Sequence, residues 1–440
     1  MKIPVYPNDR ATRKLLPHQK PILKYMMSTD TPALFIDMRL GKTILTIEYA
    51  VRKGLQNVLV VAPKSAFNSW EKELNVEGLD NFKVCMGKSK DVFARIKEAR
   101  WVITNPQKLA TWPFYKRKWD LVVVDESSRI KNARSKYFKV LMSQFSQTKH
   151  KLLLSGTPTP ESILEAVPQL LFLRGEVLGC RNYWEFLVRY TLKYGYERLL
   201  YKSAKEKLTE LLHDTCYFLS QKKAGVAQRC KKIKVLIPKN QAQKDLYRQL
   251  KKDFEMDING KHYETDYILT TLLWACRVAG GILDGTVVSD AKFNELLKIL
   301  NRTKGKAVVW FRFNDELHYV HEKLKMLSIP CAVYYGDVSV EDRKRIEYDF
   351  QKGHYKCILL QVKTGLYALD LSVADTAVYY SNSWSLEERI QSEKRISHPK
   401  KKTRLTYIDL LTKGWPDTTI YNALKRKNIS AKLIWEARNA

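Results

Sequence analysis

The sequence predicts an α/β protein built from two tandem parallel-sheet lobes with helical insertions. A chain of 440 residues exceeds what one hydrophobic core comfortably serves, and its 45% apolar residues supply material for two. Short continuous apolar runs alternate with helical segments in the first half, as strands of a parallel sheet covered on both faces would. The same alternation resumes after about residue 300, although no sequence repeat accompanies it. The expected lobes are residues 1–230, which include a helical insertion, and residues 231–440 with their linking helices.

In chain order, ALFI (33–36) reads as a buried strand and TILTIEYAVRKG (43–54) as a helix closed by Gly54. NVLVVAP (57–63) is a second strand, followed by a helix over SAFNSWEKEL (65–74) that Ser65 is placed to cap. WVITN (101–105), DLVVVDE (120–126) and KLLLSGTP (151–158) continue the series. Residues 161–225 change to aromatic, helically spaced segments, and the stretch near 233–250 reads as a crossing between domains. AVVWF (307–311), CAVYY (331–335), CILLQ (357–361), TAVYYS (376–381) and RLTYIDLL (404–411) form the second set of strands.

Lys plus Arg number 77 against 46 Asp plus Glu, a formal charge of +31, which favours a polyanionic partner such as nucleic acid over a small neutral substrate. The seven cysteines are scattered, with no C-x-x-C pair to suggest zinc. They predict a reducing intracellular setting: the cytoplasm, or a host cytoplasm for a microbial or viral source, with the nucleus left open. No apolar run approaches the roughly 20 residues a bilayer requires, so no membrane partner is expected. Nothing calls for an obligate oligomer, and a monomer is compatible with the sequence.

Three motifs carry chemistry. DMRLGKT (37–43) follows a strand and offers a tight turn at Gly41, a phosphate-reaching amine at Lys42, and a hydroxyl for Mg2+ at Thr43 where a helix begins. A full phosphate loop would place another glycine at position 36, where Ile36 stands. LVVVDESS (121–128) puts Asp125 and Glu126 at the carboxyl end of a strand, where open parallel sheets bind ligands. There Asp125 is suited to hold Mg2+ while Glu126 orients and deprotonates water for attack on the γ-phosphate of ATP. SGTPTP (155–160) also follows a strand, and its hydroxyls can bond a neighbouring acidic loop.

Taken in order, these motifs resemble the switch/sucrose-non-fermenting, remodeller-type family of superfamily 2 helicase-like double-stranded DNA translocases. The resemblance runs over roughly residues 12–411, and DESSRIKN (125–132) carries it most strongly. It implies two RecA-like lobes with an ATP cleft between them, and translocation on duplex DNA through grip on the phosphate backbone. LLPHQK matches the adenine-recognising segment, with Gln19 reading the base, and Arg39 replaces a usual glycine of the phosphate loop. VVAPKSAFNSW resembles a DNA-contacting segment through Pro63, Lys64 and Trp70. Ser155 and Thr157 match the coupling motif; Thr364, Gly365 and Asp370 match the segment linking ATP to DNA. Gln391 and Arg395, in QSEKRISH, match the motif facing the nucleotide from the second lobe. Candidate DNA grips are Lys64, Thr104, Asn105 and Thr364.

The sequence departs from the family at several points. His398 stands where a second arginine is usual; with a reference pKa near ~6.5 it carries the weaker charge, leaving the permanently charged fork of Arg395 as the main phosphate contact. Ser128 replaces a histidine, and Ala368 a glycine. These changes bear on the efficiency of coupling, and keep two alternatives in view: a strand-separating or fork-remodelling helicase, and a non-motor nucleic-acid-binding protein with a degenerate nucleotide pocket. RNA remains an alternative polymer, because a phosphate grip does not read the sugar. Phe172, Tyr183, Trp184, Phe186 and Tyr190 are expected to pack between helices, and His318 and His321 are not assigned a metal. The family pattern fills most of the chain, which predicts a minimal microbial or viral motor.

Overall fold

A computed structural model describes residues 14–436 except 86–95, 113, 195–196, 253–254, 259–260, 265–266, 366–368, 399–400 and 402. Ala368 lies outside the described residues. The chain divides into two compact units, one running to Ala227 and joined by the residues from Ile429 onward, the other spanning Gln228–Asn428. Each is an α/β unit around its own parallel sheet.

The first sheet has seven strands in the order Phe82–Val84, Trp101–Thr104, Val58–Val61, Leu121–Asp125, His150–Ser155, Ala33–Ile36 and Cys216–Leu219. Every pairing is parallel, so all strand carboxyl ends lie at one edge. The five strands Ala33–Ile36, Val58–Val61, Trp101–Thr104, Leu121–Asp125 and His150–Ser155 are buried along nearly their whole length. Continuous apolar runs such as LVVV are what a sheet packed on both faces demands. Two clusters of buried side chains cover those faces, one including Phe35, Val122, Leu141 and Phe172, the other Leu34, Val123, Tyr49 and Trp70.

The second sheet has six parallel strands in the order Cys230–Ile237, Leu405–Thr412, Ala374–Tyr379, Lys306–Phe311, Cys357–Gln361 and Cys331–Tyr334. Gly365 follows the strand Cys357–Gln361, where a Cβ would stand 2.6 Å from the Trp310 ring and 2.8 Å from Leu360, so the backbone passes too close for any side chain. No described helix is long and apolar enough to cross a membrane.

Three sequence expectations are corrected. Ser65 does not cap its helix: a 3-10 turn over Lys64–Ala66 intervenes, and the helix Phe67–Val76 starts from Ala66 without a side-chain cap. The segment after residue 161 is not all helical, because Thr191–Tyr194 and Glu197–Leu200 pair antiparallel and Cys216–Leu219 adds an edge strand beside Ala33–Ile36. That last strand abuts the helix Lys202–Thr215, so apolar spacing alone merges the two. The supposed crossing near 233 is itself the edge strand of the second sheet, paired over eight residues with Leu405–Thr412.

Candidate active site

The carboxyl edge of the first sheet gathers the loops named from sequence. Between the strand ending at Ile36 and the helix Lys42–Arg52, the chain turns through two left-handed residues, Arg39 at φ 64° and Gly41 at φ 87°. Glycine accepts that conformation freely, whereas Arg39 holds it at a cost of roughly 1 kcal/mol. Leu40 anchors the turn in the core at 1% exposure. A Cβ on Gly41 would lie 2.2 Å from Gln19 Nε2, so position 41 is closed to side chains by both conformation and space.

Gln19 is buried at the start of the helix Gln19–Met27, and both ends of its amide are engaged by backbone. Its Oε1 accepts from Leu16 N at 2.9 Å and its Nε2 donates to Leu40 O at 3.2 Å. The residue expected to read a base therefore also ties its helix to the phosphate-loop turn. Lys42 Nζ donates to Ile36 O at 3.0 Å and Asp37 O at 3.3 Å, which folds the amine over its own loop. Thr43 is half-buried in the first turn of the same helix.

Asp125 ends the strand Leu121–Asp125, and Glu126 follows in a left-handed conformation, φ 52° and ψ 59°. For a residue with a Cβ that pivot is strained, and strain of this kind concentrates at functional sites. Asp125 Oδ2 accepts from Trp70 Nε1 at 3.0 Å and Oδ1 from Glu126 N at 2.9 Å. Burial pushes the Asp125 carboxyl upward, while the Trp70 hydrogen bond and the charge of Lys42 pull it back. The unit thus brings Lys42 and Asp125 within electrostatic reach. Hydroxyl and carboxylate oxygens at Thr43 and Asp125 are the donor types a hard cation such as Mg2+ takes.

The SGTPTP turn adjoins this site. Ser155 is fully buried, and its Oγ accepts from Thr157 N at 3.0 Å. Gly156 sits over Met38, its missing Cβ 3.4 Å from Cγ. Ser128 is 1% exposed and faces the interior. Gln169, which sequence reasoning passed over, receives the Ser127 hydroxyl at 2.7 Å and donates to Pro158 O at 2.8 Å.

The four candidate grips differ in exposure. Lys64 is exposed and Thr364 half-buried, the latter donating to Gln361 Oε1 at 2.7 Å. Thr104 and Asn105 are buried at 0% and 1%, and Asn105 accepts from Lys108 N at 3.0 Å to cap a short helix.

In the second unit, Gln391 and Arg395 ride on the helix Leu386–Ile396, with His398 just beyond it. Gln391 Nε2 donates to Glu387 Oε1 at 3.3 Å, and His398 N donates to Gln228 Oε1 at 2.9 Å. This helix is clamped by Arg389, which forms a two-pronged pair with the buried carboxylate of Asp409 and also bonds Glu393 Oε1 and Asn382 Oδ1, each at 2.8 Å. Its guanidinium stacks 3.5 Å from the centroid of the Tyr379 ring. Glu393 also takes Lys232 at 2.7 Å; burial works against its carboxylate, but Arg389 and Lys232 more than offset this and hold it below its ordinary range. The i,i+4 spacing of Arg389 and Glu393 was the one sequence signal for this clamp.

Asp370 is exposed, and its N–H donates to Glu347 Oε1 at 2.8 Å. Burial raises Glu347, the Asp370 charge adds to the rise, and the charge of Arg395 opposes it, which places the three groups in one neighbourhood. His318 packs edge-on against Tyr335, and His321 Nδ1 lies 3.6 Å from Glu322 Oε1, with burial holding its imidazole below the usual range. Phe172 and Phe186 are fully buried, with Tyr183 and Tyr190 against the same core, whereas Trp184 is 47% exposed beneath the guanidinium of Arg134.

The SNF2-related domain family matches residues 18–275, and the helicase conserved C-terminal domain family matches residues 291–399. The chain is 22% identical over 94% of its length to the CHD3-type chromatin-remodeling factor CHR7 of Arabidopsis thaliana, and 23% identical over 90% to the nuclear protein STH1/NPS1 of Saccharomyces cerevisiae. It covers 36% and 33% of those proteins, so it spans about a third of their length. Among solved structures, the Sulfolobus solfataricus SWI2/SNF2 ATPase core in complex with dsDNA aligns over 96% of this chain and 93% of its own, at 20% identity and a TM-score of 0.46.

Proposed function

The chain belongs to the SNF2-related family of superfamily 2 helicase-like ATPases, and on that premise we propose that it hydrolyses ATP in response to nucleic acid and translocates on double-stranded DNA. The observation that carries the reading is the convergence of Lys42, Asp125 and the strained Glu126 at one edge of the first sheet. Lys42 exchanges its bonds to Ile36 O and Asp37 O for the terminal phosphates of ATP. Thr43 and Asp125 would hold Mg2+, which would neutralise phosphate charge. Glu126 orients a water and takes its proton as the water oxygen bonds to the γ-phosphorus; the bond to the β-γ bridging oxygen breaks and ADP departs.

From the second unit, Arg395 supplies a fixed positive charge to the same phosphates, with Gln391 and His398 beside it. Within its own unit, that helix is held rigidly by the Arg389 clamp. Ser155, Thr157 and Asp370 link the state of the nucleotide to the grip, and the exposed Lys64, with Thr364, is the leading backbone contact. Phosphate contacts give hold without reading sequence, as the +31 charge favours.

The test is steady-state phosphate release by the purified chain alone and with single-stranded, duplex and forked DNA and duplex RNA, beside Glu126→Gln. Duplex DNA is expected to stimulate most, and Glu126→Gln to lower kcat by at least about a hundredfold while ATP still binds. Equal rates with and without every polymer would contradict the coupling; appreciable turnover in the variant would remove Glu126 as the base. Displacement of a third strand from a triplex without separation of a forked duplex distinguishes translocation from unwinding.

A further inference from the structure

We infer that Gln169 is a positioning residue for hydrolysis, fixing Glu126 against the SGTPTP turn; this rests on the ATPase reading above. The helix Ala166–Arg174 is buried along its length except at Arg174, and Gln169 is the lone amide within that otherwise apolar run. Such a group is costly to bury unless its hydrogen bonds are met. Here they are met by two different loops. Oε1 accepts from Ser127 Oγ at 2.7 Å, while Nε2 donates to Pro158 O at 2.8 Å and to Glu165 O at 2.9 Å.

The placement of the partners gives the bridge its consequence. Ser127 is the residue directly after the left-handed pivot at Glu126, so its side chain sets where that pivot turns. Pro158 lies inside the turn that begins at Ser155. A second tie runs parallel, from Lys131 Nζ to Glu165 Oε1 at 3.0 Å, and Glu165 is itself locked in a capping box with Ser162. The acidic loop and the SGTPTP turn are therefore held to one buried helix, and Gln169 is the point where both meet it. A leucine would fill the same apolar surroundings, but it would leave the Ser127 hydroxyl without an acceptor and Pro158 O without this donor.

The experiment measures ATP turnover with saturating duplex DNA, together with chemical denaturation, for wild type, Gln169→Leu, Ser127→Ala and the pair combined. Each single change is expected to lower kcat about tenfold with KM for ATP changed less than about threefold, a split that marks an interaction made in the transition state. The combined variant is expected to recover only the part of the stability lost through the unpaired Ser127 hydroxyl, since Pro158 O and Glu165 O still lack their donor, yet to keep the low kcat of the singles. A purely structural amide would instead let kcat return with stability. Wild-type kcat in folded Gln169→Leu overturns the inference while leaving the ATPase reading intact; an inactive wild-type chain overturns both. Should Gln169→Leu not fold, Ser127→Ala carries the same comparison, and a wild-type kcat there is equally decisive.

Discussion

The two units fix their candidate site residues by different means. In the first, position is stored in the backbone: Arg39, Gly41 and Glu126 all adopt left-handed conformations on loops that leave the carboxyl edge of the sheet. In the second, Gln391 and Arg395 sit on a regular helix, and orientation comes from buried charge around Arg389, Asp409 and Glu393. Loops can change shape when a ligand arrives, and under the proposed function Lys42 would exchange its bonds to Ile36 O and Asp37 O. A clamped helix moves only with its whole unit.

Breaking the second unit's clamp gives the largest expected effect. Arg389→Ala leaves the Asp409 carboxylate buried without its partner and is expected to cost about 3–5 kcal/mol, read by chemical denaturation. A loss below about 1 kcal/mol would mean that the helix is held by its apolar contacts alone. In the first unit, Gly41→Ala combines an unfavourable φ with a clash against Gln19, together worth about 2–4 kcal/mol. Because the strain falls on the phosphate loop, fluorescent-ATP affinity is expected to drop with it; unchanged affinity would show that the turn's shape is not what binds.

Trp70→Phe sharpens the comparison by removing one hydrogen bond to Asp125 together with part of a buried ring. The expected cost is about 1–2 kcal/mol, with a higher concentration of Mg2+ needed for half-maximal turnover. An unaltered Mg2+ dependence would confine Trp70 to packing.

The smallest effect concerns a second buried charge cluster, in which Lys292 pairs with Asp417 at 2.7 Å near the fully buried Glu316. Burial pushes the Glu316 carboxyl up to about 7, against the opposing charge of Lys292. Since the folded pKa lies above the unfolded one, its contribution is complete at low pH and is lost as pH rises through about 7. The second unit should lose roughly 1 kcal/mol between about pH 6 and pH 8, and Glu316→Gln should flatten that slope. An equal slope in the variant would assign it to other groups.

Sequence reasoning recovers what short, ordered segments encode. The strand runs, the Gly41–Lys42–Thr43 turn and the Asp125–Glu126 pair are local patterns; the turn opens the helix that follows Ala33–Ile36, and the acidic pair stands at the end of Leu121–Asp125, as expected. What it missed depends on contacts between distant residues. Trp70 reaches Asp125 across 55 positions, and Ser127 reaches Gln169 across 42. The Arg389 pair with Asp409 spans 20 positions and two elements. Burial of Thr104 was hidden for the same reason, since its strand lies between Phe82–Val84 and Val58–Val61, whereas Asn105 turns inward to cap the short helix that follows it. The edge strand Cys216–Leu219 is four residues long, too short for a period to separate it from the helix before it.

The most direct measurement is single-turnover hydrolysis by Arg395→Ala with duplex DNA present, alongside fluorescent-ATP binding to the same protein. The account predicts binding within a few-fold of wild type, because Lys42 and its loop are untouched, and hydrolysis slower by about a thousandfold or more. Hydrolysis at the wild-type rate would contradict it, since the two units would then not act on one nucleotide.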